Sequence, residues 1–225
     1  AYFILGAVVE EITGTTYEQA LTKMILEPLE MSCTGYDYHL KIIAKRADGY
    51  RKTYIFPQND DFVDMSTPYA AGALYSTTGD LFKWHKGLLS NKLISEETKK
   101  IMLTPVKNDY ANGWFVQKMK FESGDSITAY SHSGGINGFN SLIYRVPEKN
   151  QVVIALANMI PASVNAIVRG SIEILNGEQV DFPHTSLASL IAKKVKDDPQ
   201  FDIYNFYQKF KKRKYHKYRV WNGKL

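Results

Sequence analysis

The residues best suited to chemistry stand together in Tyr130-Ser131-His132-Ser133-Gly134-Gly135-Ile136-Asn137-Gly138-Phe139. A histidine flanked by hydroxyls can hold or pass a proton near neutral pH. The two glycines behind it carry no side chain, so another backbone can lie close against them. Their N–H groups can then point at the oxygen of a carbonyl under attack. Asn137-Gly138 reads as a tight turn, with an alternating second strand beyond it. An ordinary Gly-rich hairpin with a surface histidine would share these residues, so the surrounding elements must decide.

Those elements are legible from their periods. From residue 112 to 158 apolar residues alternate, and residues 112–121, 126–132, 140–146 and 151–157 read as four strands of an antiparallel meander. Strand alternation sets His132 and Ser133 on opposite faces. Helices are expected before and after. One covers residues 2–13 and ends at Gly14, and a second is opened by Thr16-x-x-Gln19 and stopped by Pro28. Thr77 and Ser95 can cap two more, the first with Leu81, Trp84, Leu88 and Leu89 as its apolar stripe. Val164, Ile167, Val168, Ile172 and Leu175 make a last amphipathic helix ending at Gly177, whereas residues 36–67 read as loop with short elements. Strands grouped together with helices on either side predict an α+β fold, an antiparallel sheet flanked by helices.

Six stretches stand in order: Ala1–Gly14, Ile25–Tyr36 with its Glu27-Pro28-Leu29-Glu30-Met31, Ala70–Trp84 with its Ala70-Ala71-Gly72-Ala73-Leu74-Tyr75-Ser76-Thr77, Tyr110-Ala111-Asn112-Gly113-Trp114, the His132 segment, and Val152–Asn158. Together they resemble the serine β-lactamase-like family, which includes class C β-lactamases, D-alanyl-D-alanine carboxypeptidases, D-aminopeptidases and related esterases. The resemblance implies a β-lactamase/transpeptidase-like fold and hydrolysis of an amide, ester or β-lactam bond through an acyl-enzyme. Family members carry S-x-x-K, Y-x-N, and K-T-G or H-x-G. No serine in this sequence has a lysine three residues on. The expectation is therefore that residues 1–178 form the C-terminal part of the hydrolase domain, with the nucleophilic serine, its lysine and the relay tyrosine upstream of Ala1. Tyr110-Ala111-Asn112 spells Y-x-N but stands too near His132, and Gly113-Trp114 behind it matches a family strand, so a structural role is expected for it.

By resemblance, His132 takes the place of the lysine in K-T-G, and the Gly135 N–H joins that of the nucleophile in an oxyanion hole. Gly134 is expected to let substrate approach, with Ser133 and Asn158 as weaker substrate contacts. The substrate is expected to be a small molecule or peptide. A non-catalytic binding protein of the same fold is the rival reading.

The net charge of +5 is uneven. From His184 onward there are eleven Lys and Arg against three Asp, leaving 17 basic and 20 acidic residues for the rest. Residues 179–225 are read as a linker and a basic, aromatic helical tail that packs its rings while its lysines stay solvated. Nucleic acid is not an expected partner. The histidines show no paired ligand spacing, and no metal or other cofactor is expected. Cys33 is the single cysteine, so no internal disulfide forms. The resemblance implies an extracytoplasmic protein associated with the cell envelope, and the oligomeric state is left open.

Overall fold

The computed structural model describes residues 1–53, 56–180, 191, 194–198, 200–206 and 208. The chain divides into two units, Ala1–Asp181 and Phe182–Leu225.

Local chemistry explains most element ends in the first unit. Helix α1 (Tyr2–Thr13) stops where Gly14 adopts a left-handed φ of 63° and returns its N–H to the Glu10 carbonyl. Thr16 caps α2 (Tyr17–Leu21) in a reciprocal capping box with Gln19. The helix continues towards the expected stop at Pro28 as a wider π turn over Thr22–Leu26. Short strands β1 (Gly35–Tyr36), β2 (Tyr50–Lys52), β3 (Pro57–Asn59) and β4 (Leu74–Tyr75) follow. Thr77 then caps α3 (Thr78–Leu89) and Ser95 caps α4 (Glu96–Leu103), each hydroxyl accepting the N–H three residues on. Strands β5 (Phe115–Lys120), β6 (Ser126–Ile136), β7 (Phe139–Val146) and β8 (Gln151–Ala157) come next, then β9 (Met159–Ile160) and α5 (Val164–Leu175).

The four long strands form one antiparallel sheet in the order β5-β6-β7-β8, so the fold is α+β. Two strand bounds differ from the sequence expectation by more than one residue. Strand β5 begins at Phe115, not residue 112, because Asn108, Asp109 and Gly113 all take positive φ and curl the chain into turns. Strand β6 runs four residues past His132, because Gly134 and Gly135 stay extended opposite Ser141 and Asn140. Two small sheets complete the described residues: β1 with β4, and β3-β2-β9, in which β2 and β9 run parallel.

One face of the main sheet is closed by α5. Val164, Val168 and Ile172 on that helix pack against Ile127, Ala129, Leu142, Tyr144 and Val146. Each Val, Leu or Ile side chain among them taken fully from water contributes about 1.5–3 kcal/mol. The opposite face carries Tyr130, His132 and Gly134 of β6 beside Arg145 and Ser141 of β7, by alternation from the residues just named. There α3 meets the sheet through a buried polar contact, with Arg145 Nε donating to His85 Nδ1 at 3.0 Å. Arg145 also lies over the Trp114 ring, 5.1 Å from its centre.

In the second unit, residues 194–197 and 203–206 are helical. Lys194 Nζ stands 5.6 and 6.0 Å from the ring centres of Phe201 and Phe206, which meet edge-on at 5.2 Å. Most of the linker and basic, aromatic helical tail expected over residues 179–225 lies outside the described residues.

Candidate active site

Strand β6 offers an open edge at the residues singled out above. Its pairing with β5 ends at Ser131 opposite Phe115, whereas its pairing with β7 continues to Ile136 opposite Phe139. From His132 to Gly135, then, one edge of β6 has no strand beside it among the described residues. An extended ligand backbone can hydrogen-bond to such an edge.

His132 is exposed and sits at the start of this edge. Its Nε2 lies 3.2 Å from the Tyr110 hydroxyl, which in turn lies 2.9 Å from the Tyr2 hydroxyl. Tyr110 therefore does not continue β5 but stands in the turn before it, with its ring edge-on to Phe115 at 4.7 Å. Partial burial, and then the bond to Tyr2, push the Tyr110 hydroxyl up to about 12, so it stays protonated across the physiological range. Asn112 is spent elsewhere, its Nδ2 donating to the Ile101 carbonyl at the end of α4.

The neighbouring residues take distinct positions. Ser133 stands opposite Leu142 and so shares the α5 face, away from His132. A Cβ on Gly134 would run into Ser141 Oγ, so a side chain there requires that hydroxyl to turn aside. Gly135 has no such crowding; a Cβ would come no nearer than 3.6 Å, to Asn140 Nδ2. Its lack of a side chain therefore keeps the open edge flat without being required by its own neighbours. Asn158 does not reach this edge. Its Nδ2 donates to the Asp48 carbonyl at 3.0 Å and its own carbonyl accepts from the Tyr50 N–H, so it ties the loop before β2 to the end of β8.

The turn after the glycines is held from the side. Gly138 has φ 76° and packs directly on Gly49, where neither residue can carry a Cβ. Asn137 Nδ2 donates to the Asp61 carbonyl at 3.1 Å. Next to it, Arg51 grips Asp60 through Nε and Nη2 at 2.8 and 2.6 Å. Burial alone would raise the Asp60 carboxyl, but the guanidinium and the Asp61 and Gly138 N–H groups hold it below the usual carboxylate range. Among the described residues no three His, Cys, Asp or Glu side chains cluster closely enough to hold a metal ion.

Residues 1–166 match the beta-lactamase family model. The chain belongs to the beta-lactamase family. Penicillin-binding protein 4* of Bacillus subtilis is 26% identical over 203 residues, which is 81% of this chain and 44% of that protein. Protein flp of Staphylococcus aureus is 28% identical over 212 residues, 90% of this chain and 40% of its own length. Less than half of each curated relative is therefore spanned. The octameric penicillin-binding protein homologue from Pyrococcus abyssi superposes with a TM-score of 0.66 at 26% identity, over 79% of this chain and 42% of that one. The fold is thus that of the β-lactamase and penicillin-binding-protein group, covered in part.

Tyr2 and Tyr110 are the residues that sequence reasoning did not join to the site. They are 108 positions apart, and the only local signal was a Tyr-x-Asn spelling whose Asn turns out to cap a helix.

Proposed function

We propose that this chain supplies the His-x-Gly-Gly side of a serine hydrolase site that cleaves an amide, ester or β-lactam bond through an acyl-enzyme. The observation that carries the reading is the open edge of β6 from His132 to Gly135, with His132 at its start and no side chain over Gly134 and Gly135. A flat, unpaired strand edge can align a substrate backbone, and a backbone N–H on it can meet the oxyanion of a tetrahedral intermediate. Gly135 is assigned that N–H. His132 is assigned to the proton relay as a neutral hydrogen-bonding group, since imidazole can donate at one nitrogen and accept at the other. The nucleophilic serine, its lysine and the relay tyrosine are assigned to residues outside the 225, because no Ser-x-x-Lys occurs within them. Family membership supports the reaction class. A small-molecule or peptide substrate and an extracytoplasmic place of action belong to the same proposal.

The test uses the intact protein that contains this chain. A fluorophosphonate or fluorescent penicillin should label one serine covalently, and His132→Ala should lower kcat/KM on the substrate so found by at least about a hundredfold, near 2.7 kcal/mol. Absence of any acyl-enzyme would favour a non-catalytic binding protein of this fold. A His132→Ala enzyme within about threefold of wild type would remove this residue from the mechanism.

A further inference from the structure

We propose that Tyr110 is a positioning residue that sets the tautomer of His132, donating its hydroxyl hydrogen to Nε2 so that Nδ1–H is the group offered to the site; this rests on the hydrolase reading above. Three observations lead to it. The hydroxyls of Tyr2 and Tyr110 and the His132 ring form one chain, with steps of 2.9 and 3.2 Å. The Tyr110 and His132 rings are 63° apart with centres 6.2 Å from each other, and both lean on Phe115, so the contact is packed as well as bonded. Among the described residues, His132 Nδ1 has no hydrogen-bond partner, which leaves it as the nitrogen free for substrate or for the proton relay.

The direction of the hydrogens follows from acceptor strength. Tyr110 has one hydrogen to give and two neighbours, the Tyr2 oxygen and an imidazole nitrogen. An sp2 imidazole nitrogen is much the better acceptor, because a phenol oxygen shares its lone pair with the ring. The favoured order is therefore Tyr2 O–H to Tyr110 oxygen, and Tyr110 O–H to His132 Nε2. With Nε2 accepting, a neutral imidazole must carry its hydrogen on Nδ1. Free histidine prefers the opposite tautomer, so the arrangement is one the protein imposes. Burial keeps the Tyr110 hydroxyl protonated and hence able to donate. No covalent step is involved; Tyr110 acts only by fixing the ring and its hydrogen.

The experiment is long-range 1H–15N correlation NMR on the intact protein with 15N-histidine, alongside steady-state kinetics of Tyr110→Phe, Tyr2→Phe and His132→Ala. In wild type with the His132 ring neutral, Nε2 should resonate as an unprotonated nitrogen and Nδ1 as a protonated one. Tyr110→Phe keeps the ring against Phe115 and should shift the population to Nε2–H, with kcat/KM falling about five- to tenfold, the size expected for one hydrogen bond. Tyr2→Phe should keep the wild-type tautomer and lose less than Tyr110→Phe. A wild-type His132 protonated on Nε2 overturns the proposal without any variant. So does a Tyr110→Phe protein with unchanged tautomer, or with a changed tautomer and wild-type kcat/KM. Failure of the hydrolase reading shows separately, as a His132→Ala protein with undiminished activity or as no hydrolysis by wild type at all.

Discussion

Gly134 shows how a single missing carbon can shape a site. Its neighbour across the strand pair is Ser141, whose hydroxyl, in its present rotamer, occupies the volume a Cβ would need. Gly134→Ala should cost about 1–3 kcal/mol of stability, the range for overpacking a filled position. The next atom beyond the hydroxyl, Ser141 Cβ, would stand 3.7 Å from the new methyl, an ordinary contact. The double variant Gly134→Ala/Ser141→Ala should accordingly recover most of the lost stability in denaturant titration. It should not recover the activity lost to a methyl standing on the substrate edge. A single variant as stable as wild type would show that Ser141 turns aside freely, and the steric argument would fall.

Between elements, the contact of α3 with β7 rests on His85 and Arg145, both about 1% exposed. His85 Nδ1 accepts the Arg145 Nε hydrogen, which requires a neutral ring. Burial, then the charges of Arg145 and Lys86, push His85 down to about 4 from its ordinary 6.5. The unfolded chain would thus take a proton on His85 near pH 6.5 while the folded one resists until about pH 4. More protons bind to the unfolded state inside that window, so stability falls as pH drops from about 6.5 to about 4 and is unaffected above it. Asp60 and Asp80, both held below the usual carboxylate range, lose their contribution only as pH falls from about 4 downward. His85→Gln keeps an acceptor for Arg145 and removes the titration. Its stability, followed by urea unfolding of the intact protein, should be flatter than wild type between pH 6.5 and 4. Parallel curves would mean that His85 titrates normally in the fold.

At the scale of the whole molecule, the 225 residues leave apolar surface uncovered. On α1, Phe3, Ile4, Leu5, Val8 and Ile12 are 43–78% exposed, while Gly6 is buried against Tyr69 and Ala70. The outer edge of β8 has no strand beside it among the described residues. An apolar helix face and an open sheet edge on one body favour association of copies. Expressed alone, the chain should aggregate or melt without a sharp cooperative transition, as seen by light scattering and calorimetry. It should also take up no covalent fluorophosphonate, since none of its serines has the lysine that would activate it. A soluble monomer with a cooperative transition would show the 225 residues to be self-sufficient. Stoichiometric labelling of a serine within them would locate a nucleophile that the motifs missed.

The sequence by itself determined the elements and the family. Caps at Thr16, Thr77 and Ser95, the left-handed Gly14 and the two-residue period of β6 to β8 act over a few positions, and each is present where its local chemistry places it. Local chemistry also separated Ser133 from His132, because strand alternation is a property of the backbone. Tertiary structure decided what those elements bring together. The parallel pairing of β2 with β9, the use of Asn158 to hold the Asp48 loop, and the crowding of Gly134 by Ser141 depend on partners that no spacing rule relates. The chain of Tyr2, Tyr110 and His132 is the sharpest case. A hydrogen bond needs donor and acceptor within about 3.2 Å, and residues from α1, a turn and a strand reach that distance only when the whole sheet and its helices have closed around them.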